Sequence, residues 1–469
     1  MSEYASGAGL APFGGPGDAP RPASQPGEGH SGQVRMAYRL AAACRDELLH
    51  VHGIGWHYWD GLRWAEDRTG HAERAVLQVL ADALVESLTD KTLRSDVARC
   101  ESAAGIAGVL SIAAALVEFA TTVDDLDADP WLLNCANGTL DLRTRDLRPH
   151  EPADRLTRVT TGAYDPSAPA DTWEAFLAQV LPDDDERAYL RRVVGQALHG
   201  RVTEHMLPIL IGEGANGKST AYGALVHAVG DYGTVIDPAL LMVSKHATSS
   251  STELMDLLGA RLVIGSETEE GRKLDEATMK RLTGGDPLTA RRLYKDPVTW
   301  IPSHTLVYVS NHLPAVRAND PAVWRRVRVV PFDVVVPAED RDPHLAARLE
   351  LHADAILTWA VGGYFDYADN GGMREPASVL RATDAYKADS DPVRRFVTEG
   401  CHVSPASSAT TRELYGAWQS WAVTEGADPM PEKAFGKELD RLGYEANRTK
   451  RGMLRSGLMP FETEGGVGR

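Results

Sequence analysis

GEGANGKST, residues 212–220, fits the pattern G-x-x-x-x-G-K-[ST] of a loop that cradles phosphate. Glycines let backbone N–H groups come close to an anion, and a helix starting where the loop ends adds partial positive charge there. On this reading Gly212, Gly214, Ala215, Asn216 and Gly217 form the cradle. Lys218 reaches the β and γ phosphates of ATP, Ser219 holds Mg2+ through its hydroxyl, and Thr220 is an outer neighbour. The competing reading is a chance glycine-rich turn between a strand and a helix.

Turnover of a bound nucleotide needs a carboxylate for the metal or the attacking water. RLVIGSETEE ends an apolar run at Ser266-Glu267, so Glu267 is the candidate acid and second Mg2+ contact. Glu269 and Glu270 read as acids of a solvated loop. Asn311, at the end of TLVYVSN, suits a group that orients water beside the γ phosphate. Arg325 and Arg326, in WRRVRVVPF (324–332), suit cations supplied across a subunit interface to the developing charge. Their bland alternative is a basic surface turn.

These residues need a scaffold that brings strand ends together. MLPILIG (206–212), RLVIGSE (261–267), TLVYVSN (305–311) and VRVVPFDVVV (327–336) are short apolar runs, which predict buried strands. Helical stretches separate them, so the fold class is α/β with a mostly parallel sheet. Upstream, a hairpin is expected around Asp60-Gly61, helices over 71–120, a second hairpin at Asn137-Gly138, and two helices broken near Leu181-Pro182. Downstream, 340–400 reads as helical and CHVSPASSATT (401–411) as a loop. Two helices and a basic turn, NRTKRGMLRSG, follow and suggest a winged helix.

Composition bounds the rest. The chain has 469 residues and a net charge of -17, and no apolar run reaches the ~18 residues of a bilayer span. Residues 1–33, rich in Gly, Pro, Ala and Ser, predict a disordered tail without a signal peptide. Cys44, Cys100, Cys135 and Cys401 are scattered and form no C-x-x-C pair, which argues for reduced thiols in a cytoplasmic protein. The domain expectation is a helical N-terminal domain over 34–165, a helical collar over 166–204, an ATPase core over 205–338, a helical extension over 339–400 and a winged helix over 401–469.

An acidic chain still has basic segments. Residues 271–328 hold eleven Lys or Arg against five Asp or Glu, and 433–455 hold seven against three. Lys280, Arg281, Arg291, Arg292 and Lys295 flank LTGGDPLTA, where a loop or hairpin would track a phosphate backbone without reading bases. Lys450 and Arg451 sit in the basic turn, where a wing contacts a DNA backbone. For both segments the alternative is a solvated face.

With these motifs assembled, the chain resembles the helicase part of phage and plasmid primase–helicases, related to the poxvirus primase-helicase. This is superfamily 3, a branch of the AAA+ ATPases. GEGANGKST, RLVIGSETEE, KRLTGGDPLTARRLY, TLVYVSNHLP and WRRVRVVPF carry the resemblance, in that order. It implies a ring, expected to be a homo-hexamer, that translocates on single-stranded and forked DNA with ATP bound between subunits. It implies Lys218 and Ser219 on nucleotide and Mg2+, Glu267 as the acid, Asn311 as sensor, and Arg325 or Arg326 as arginine finger. Primer synthesis is not expected, because no paired-carboxylate polymerase site is legible. A separate primase or initiator is a candidate partner, and a membrane is not. The second function reading is an ATP-dependent initiator that melts DNA without processive unwinding; the third is a metabolic kinase.

Overall fold

One strand organises the second half of the chain. β1 (Leu207–Ile211) is an interior strand of a five-stranded sheet with β2 (Gly233–Ile236), β3 (Leu262–Ser266), β4 (Thr305–Ser310) and β5 (Val327–Pro331). The order is β5-β1-β4-β3-β2, and every pairing is parallel. β1, β3 and β4 have no exposed residue, as expected for strands covered on both faces. The fold is therefore mixed α/β with a parallel sheet. The computed structural model describes residues 27, 29–243, 251–266, 271–316, 320–425, 427, 428, 430–450 and 452–461. Glu267, Glu269, Glu270 and Arg451, and nearly all of the expected tail, lie outside them.

Four of the five strands coincide with the apolar runs. β2 was not foreseen, because it is short and at the sheet edge, with Val235 half exposed. β5 stops at Pro331, earlier than the expected 336. The helix α1 (Lys218–Val229) follows β1 after the phosphate-type loop. Helices Asp171–Val180 and Asp184–Ala197 form as expected, and the Asp183 carboxylate caps the second by accepting from the Asp185 N–H at 2.8 Å. They share a core with α1 and helix Ala353–Asn370 through Trp173, Leu190, Leu225, Ile356 and Trp359.

The described chain divides into two compact units, with Asp60–Ala65 and Val123 onward in the unit that holds the sheet. In the other, helices Gly32–Cys44, His71–Glu86, Lys91–Cys100 and Ala103–Ala113 pack around Met36, Leu40, Val76, Val97, Val109 and Phe119. Turn chemistry is legible at Asp60, whose carboxylate accepts from the N–H groups of Leu62 and Arg63, each at 2.8 Å. The second hairpin is one residue out of its expected frame. Cys135 pairs with Gly138, so Ala136 and Asn137 form the turn. A Cβ on Gly138 would come within 2.5 Å of the Arg148 carbonyl of the third strand, which explains the glycine.

The C-terminal segment corrects one expectation. CHVSPASSAT is a strand, Cys401–Thr410, antiparallel to Gly452–Pro460, which also pairs with Ala446–Thr449. Its small polar residues hid it. Pro405 is tolerated because the register shifts between Val403 and Ser408, at the sheet edge. Helices Thr411–Thr424 and Glu432–Arg441 cover one face, with a capping box between Thr410 and Glu413.

Arg261 is the main polar strut of the sheet unit. It is 2% exposed, donates to the Leu132 carbonyl at 2.7 Å and to the Leu198 carbonyl, and lies 4.5 Å over the Tyr232 ring. Replacing it strands two buried carbonyls, and a hydrogen bond to a charged group contributes about 1.5–3 kcal/mol. Arg261→Met should therefore lower stability by about 3 kcal/mol, read as a lower urea midpoint by fluorescence.

Candidate nucleotide site and its basic flank

Backbone geometry fixes the loop first. Phe332 N–H donates to the Ile211 carbonyl at 2.7 Å, and Val336 N–H to the Ala215 carbonyl at 2.9 Å. The carbonyls of the loop are thereby turned into the protein. Ala215 and Gly217 take left-handed conformations, with φ of +63° and +80°. A Cβ on Gly217 would come within 2.6 Å of Val180 Cγ1, whereas one on Gly214 would meet nothing within 4 Å. So the loop is packed on its inner side and open on its outer side.

Lys218 opens α1 and is 3% exposed. Its ammonium donates to the Gly212 carbonyl at 2.6 Å, to Asn216 Oδ1 at 3.1 Å and to Asn311 Oδ1 at 3.2 Å. Asn216, equally buried, is the brace: its Nδ2 donates to the Phe332 carbonyl at 3.1 Å while its Oδ1 accepts from Lys218. A buried cation under an open glycine loop is a fit for a phosphate anion. Ser219 is exposed beside it, and Thr220 is half-buried. Tyr222, one turn on, shares a hydrogen bond of 3.1 Å with Ser266 at the tip of β3. Lys218, Asn216 and Asn311 thus meet, and Ser266 is tied to the same helix. Glu267 follows Ser266 outside the described residues. Among the described residues, no group of three His, Cys, Asp or Glu side chains could hold a metal by itself.

Arg325 and Arg326 stand at the other end of the strands. The Arg326 carbonyl accepts from the N–H of Leu207, the first residue of β1, whereas the loop follows the last. Five residues of strand separate the two ends, about 17 Å at ~3.3 Å per residue. The chain therefore does not place either arginine at its own loop. The pair also differs internally. Arg325 is exposed. Arg326 is 6% exposed, donates to the Ala322 carbonyl at 2.8 Å, and its Nε has no partner among the described residues. Burial, and then the neighbouring Arg325 charge, lower its proton affinity.

The basic segment is sorted by its partners. Lys280, on helix α2 (Glu276–Leu282), pairs with Asp320, and that contact holds the Asp320 carboxyl below its usual range. Arg328 pairs with Glu375, and Lys273 with Asp428 at 2.8 Å. Arg281 is exposed at the end of α2. A two-stranded hairpin, Leu288–Ala290 with Val298–Trp300, carries Arg291, Arg292 and Lys295 in its connecting loop. Arg291 and Lys295 are exposed and Arg292 half-buried. In the C-terminal segment Lys450 is exposed next to the turn between the last two strands, and Arg455 is an interior strut to the Gly436 carbonyl at 2.8 Å and Asp440 at 2.6 Å. Two things were beyond sequence reasoning: the bracing role of Asn216, and the Asp320 partner of Lys280, forty residues away in sequence.

Comparison with known proteins adds three family matches. Residues 37–182 match the family described as D5 N terminal like, and residues 388–463 the one described as Poxvirus D5 protein-like. Residues 210–326 match a family of unknown function, DUF5906. A protein of Acanthamoeba polyphaga mimivirus named "Putative helicase" is 31% identical over 305 residues, 64% of this chain and 30% of that protein. One of Frog virus 3 with the same name is 27% identical, over 53% of this chain and 27% of its own length. A "Putative primase" of African swine fever virus is 24% identical over 67% of this chain and 35% of that protein. The chain thus spans about a third of the length of these relatives. A solved structure described as the apo A form of the NrS-1 C terminal region aligns over 64% of this chain and 78% of that chain. The TM-score is 0.38 and the sequence identity 11%.

The contrast between the two arginines is measurable in stability alone. Arg325→Ala should leave the urea midpoint within about 0.5 kcal/mol of wild type, as surface changes usually do. Arg326→Ala, which removes a buried stem and a buried donor, should cost about 1–2 kcal/mol.

Proposed function

We propose that this chain, which matches the D5 N-terminal-like family over 37–182 and the poxvirus D5-like family over 388–463, is the motor part of a replication helicase. It hydrolyses ATP and moves along single-stranded DNA in the service of a virus, phage, plasmid or integrated element. The carrying observation is the meeting of Lys218 with Asn311, 3.2 Å apart, under an open glycine loop. A lysine placed at a phosphate and an asparagine placed to position its attacking water are two of the parts such a hydrolase needs close together.

The strand order β5-β1-β4-β3-β2, with the loop after interior β1 and the asparagine at the tip of its neighbour, fits an AAA+ core of the superfamily 3 branch. When ATP and Mg2+ are bound, the metal supplies charge neutralisation between the phosphates. Ser219 would hold it through its hydroxyl, together with Glu267. Gly214 through Gly217 would present N–H groups, and Lys218 would turn from its oxygen partners to the phosphates. An arginine so far from its own loop supports a ring, expected to be a homo-hexamer, in which a neighbouring copy supplies it. Arg325, exposed and not tethered by Ala322, is the better of the two candidates. The C-terminal sheet and helices support a winged helix, with Lys450 and Arg451 on the wing. The domain limits 34–165, 166–204, 205–338, 339–400 and 401–469 remain our division of the chain.

The test is ATP hydrolysis with and without single-stranded DNA, beside displacement of a labelled strand from a forked duplex. DNA-stimulated hydrolysis with displacement is expected. Lys218→Ala should lower turnover about a hundredfold or more while leaving the circular dichroism spectrum unchanged. Wild-type turnover by that variant would sink the phosphate-loop assignment. Hydrolysis without displacement would favour the initiator reading. Arg325→Ala should lose about a thousandfold in turnover. Mixed with Lys218→Ala, it should regain activity, since a wild-type loop then faces a wild-type arginine. No recovery in the mixture would place the finger elsewhere.

A further inference from the structure

The loop of the Leu288–Trp300 hairpin carries a side chain that the phosphate-tracking role does not use. The base of the hairpin is fixed: Leu288, Ala290, Val298 and Trp300 are each 5% exposed or less, and Thr289 and Thr299 hydroxyls are hydrogen-bonded at 2.8 Å. The tip folds on itself, with the Lys295 N–H donating to the Arg292 carbonyl at 3.1 Å. That closes a four-residue turn with Leu293 and Tyr294 at its centre. Tyr294 is the third residue of the turn and takes φ of +62°, a left-handed conformation that glycine or asparagine adopts most easily there. It is 95% exposed, and Leu293 is 73% exposed.

A large aromatic at this position contributes nothing to the fold. It buries almost no surface, and it occupies a backbone conformation that disfavours it. The turn presents it to solvent at the hairpin tip, among Arg291, Arg292 and Lys295, with one carboxylate, Asp296, nearby in sequence. Cations that pair with phosphates beside an aromatic face that stacks on a base are the two halves of a single-strand contact. We infer that Tyr294 stacks on an unpaired base of single-stranded nucleic acid while Arg291 and Lys295 engage the flanking phosphates. The hairpin therefore grips bases as well as backbone and discriminates unpaired strand from duplex, whose bases have no free face. This rests on the DNA-motor reading above, and it adds a contact that the cations alone do not make.

The experiment measures equilibrium binding of the full chain to a labelled oligothymidylate and to an abasic strand of the same length and charge, across a salt series. Tyr294→Ala should weaken binding to oligothymidylate about tenfold, within the range of a single base–aromatic stack. It should leave the abasic strand, and the slope of log affinity against log salt, unchanged. Tyr294→Phe should retain wild-type affinity for both. Arg291→Ala should weaken both strands and flatten the salt slope by about one. Equal loss on both strands, or no loss, with Tyr294→Ala overturns the stacking contact. If Arg291→Ala still flattens the slope, the cationic reading of the hairpin survives that failure. If neither variant changes binding to either strand, both fall together.

Discussion

The register of β1 against its two neighbours is the constraint on which the site depends. On one side Ser310 of β4 pairs with Ile211, so the next residue, Asn311, stands beside the start of the loop. On the other, Pro331 of β5 also pairs with Ile211, so the Phe332 carbonyl stands beside Gly212 and receives Asn216. A slip of one residue on either side would turn every side chain of that strand to the opposite face. A slip of β4 would also separate Lys218 from Asn311, and a slip of β5 would separate Asn216 from the Phe332 carbonyl. The apolar runs in β1 and β4 therefore do more than build a core; their length and phase set the distance at which two polar groups meet.

The same parallel register that gathers the strand tips also sends Arg325 and Arg326 away. Parallel strands begin at one edge and end at the other, so a group just before β5 cannot be near a loop just after β1. No loop motion of ordinary size closes about 17 Å, the rise of five strand residues. If Arg325 or Arg326 serves the phosphates, a second copy must bring it. Strand direction is thus a second support, beside resemblance, for the oligomer in the proposed function.

How far the sequence could be read follows from the kind of signal each element carries. β1, β3, β4 and β5 are continuous apolar runs, and the phosphate-type loop is a local pattern, so both were legible. β2, with the four residues GTVI and an exposed Val235, carries too little periodicity to be seen, and it exists because β3 offers it an edge. Cys401–Thr410 has Ser, Ala and Pro where a strand usually has β-branched residues. It is held by its pairing with Gly452–Pro460, and no local pattern reports a partner fifty residues away. The site divides in the same way. Lys218 was found by motif and Asn311 by its place at a strand end. The brace made by Asn216 depends on the Phe332 carbonyl, which only the β5 register brings near.

Charge follows that rule too, and it changes what the basic segment means. A sequence count gives residues 271–328 eleven cations of equal standing. Folding separates them. Lys273, Lys280 and Arg328 are drawn into carboxylate pairs with Asp428, Asp320 and Glu375, and Arg326 is buried. These neutralise acids or brace elements and have little left for a distant phosphate. Arg281, Arg291, Lys295 and Arg325 are exposed, Arg291 and Lys295 on one hairpin whose base is packed. The electrostatic footprint of the segment is therefore narrower than its composition and is concentrated where the chain also presents Tyr294. A narrow, mixed cationic and aromatic tip can follow one strand at a time, which a broad basic face could not do selectively.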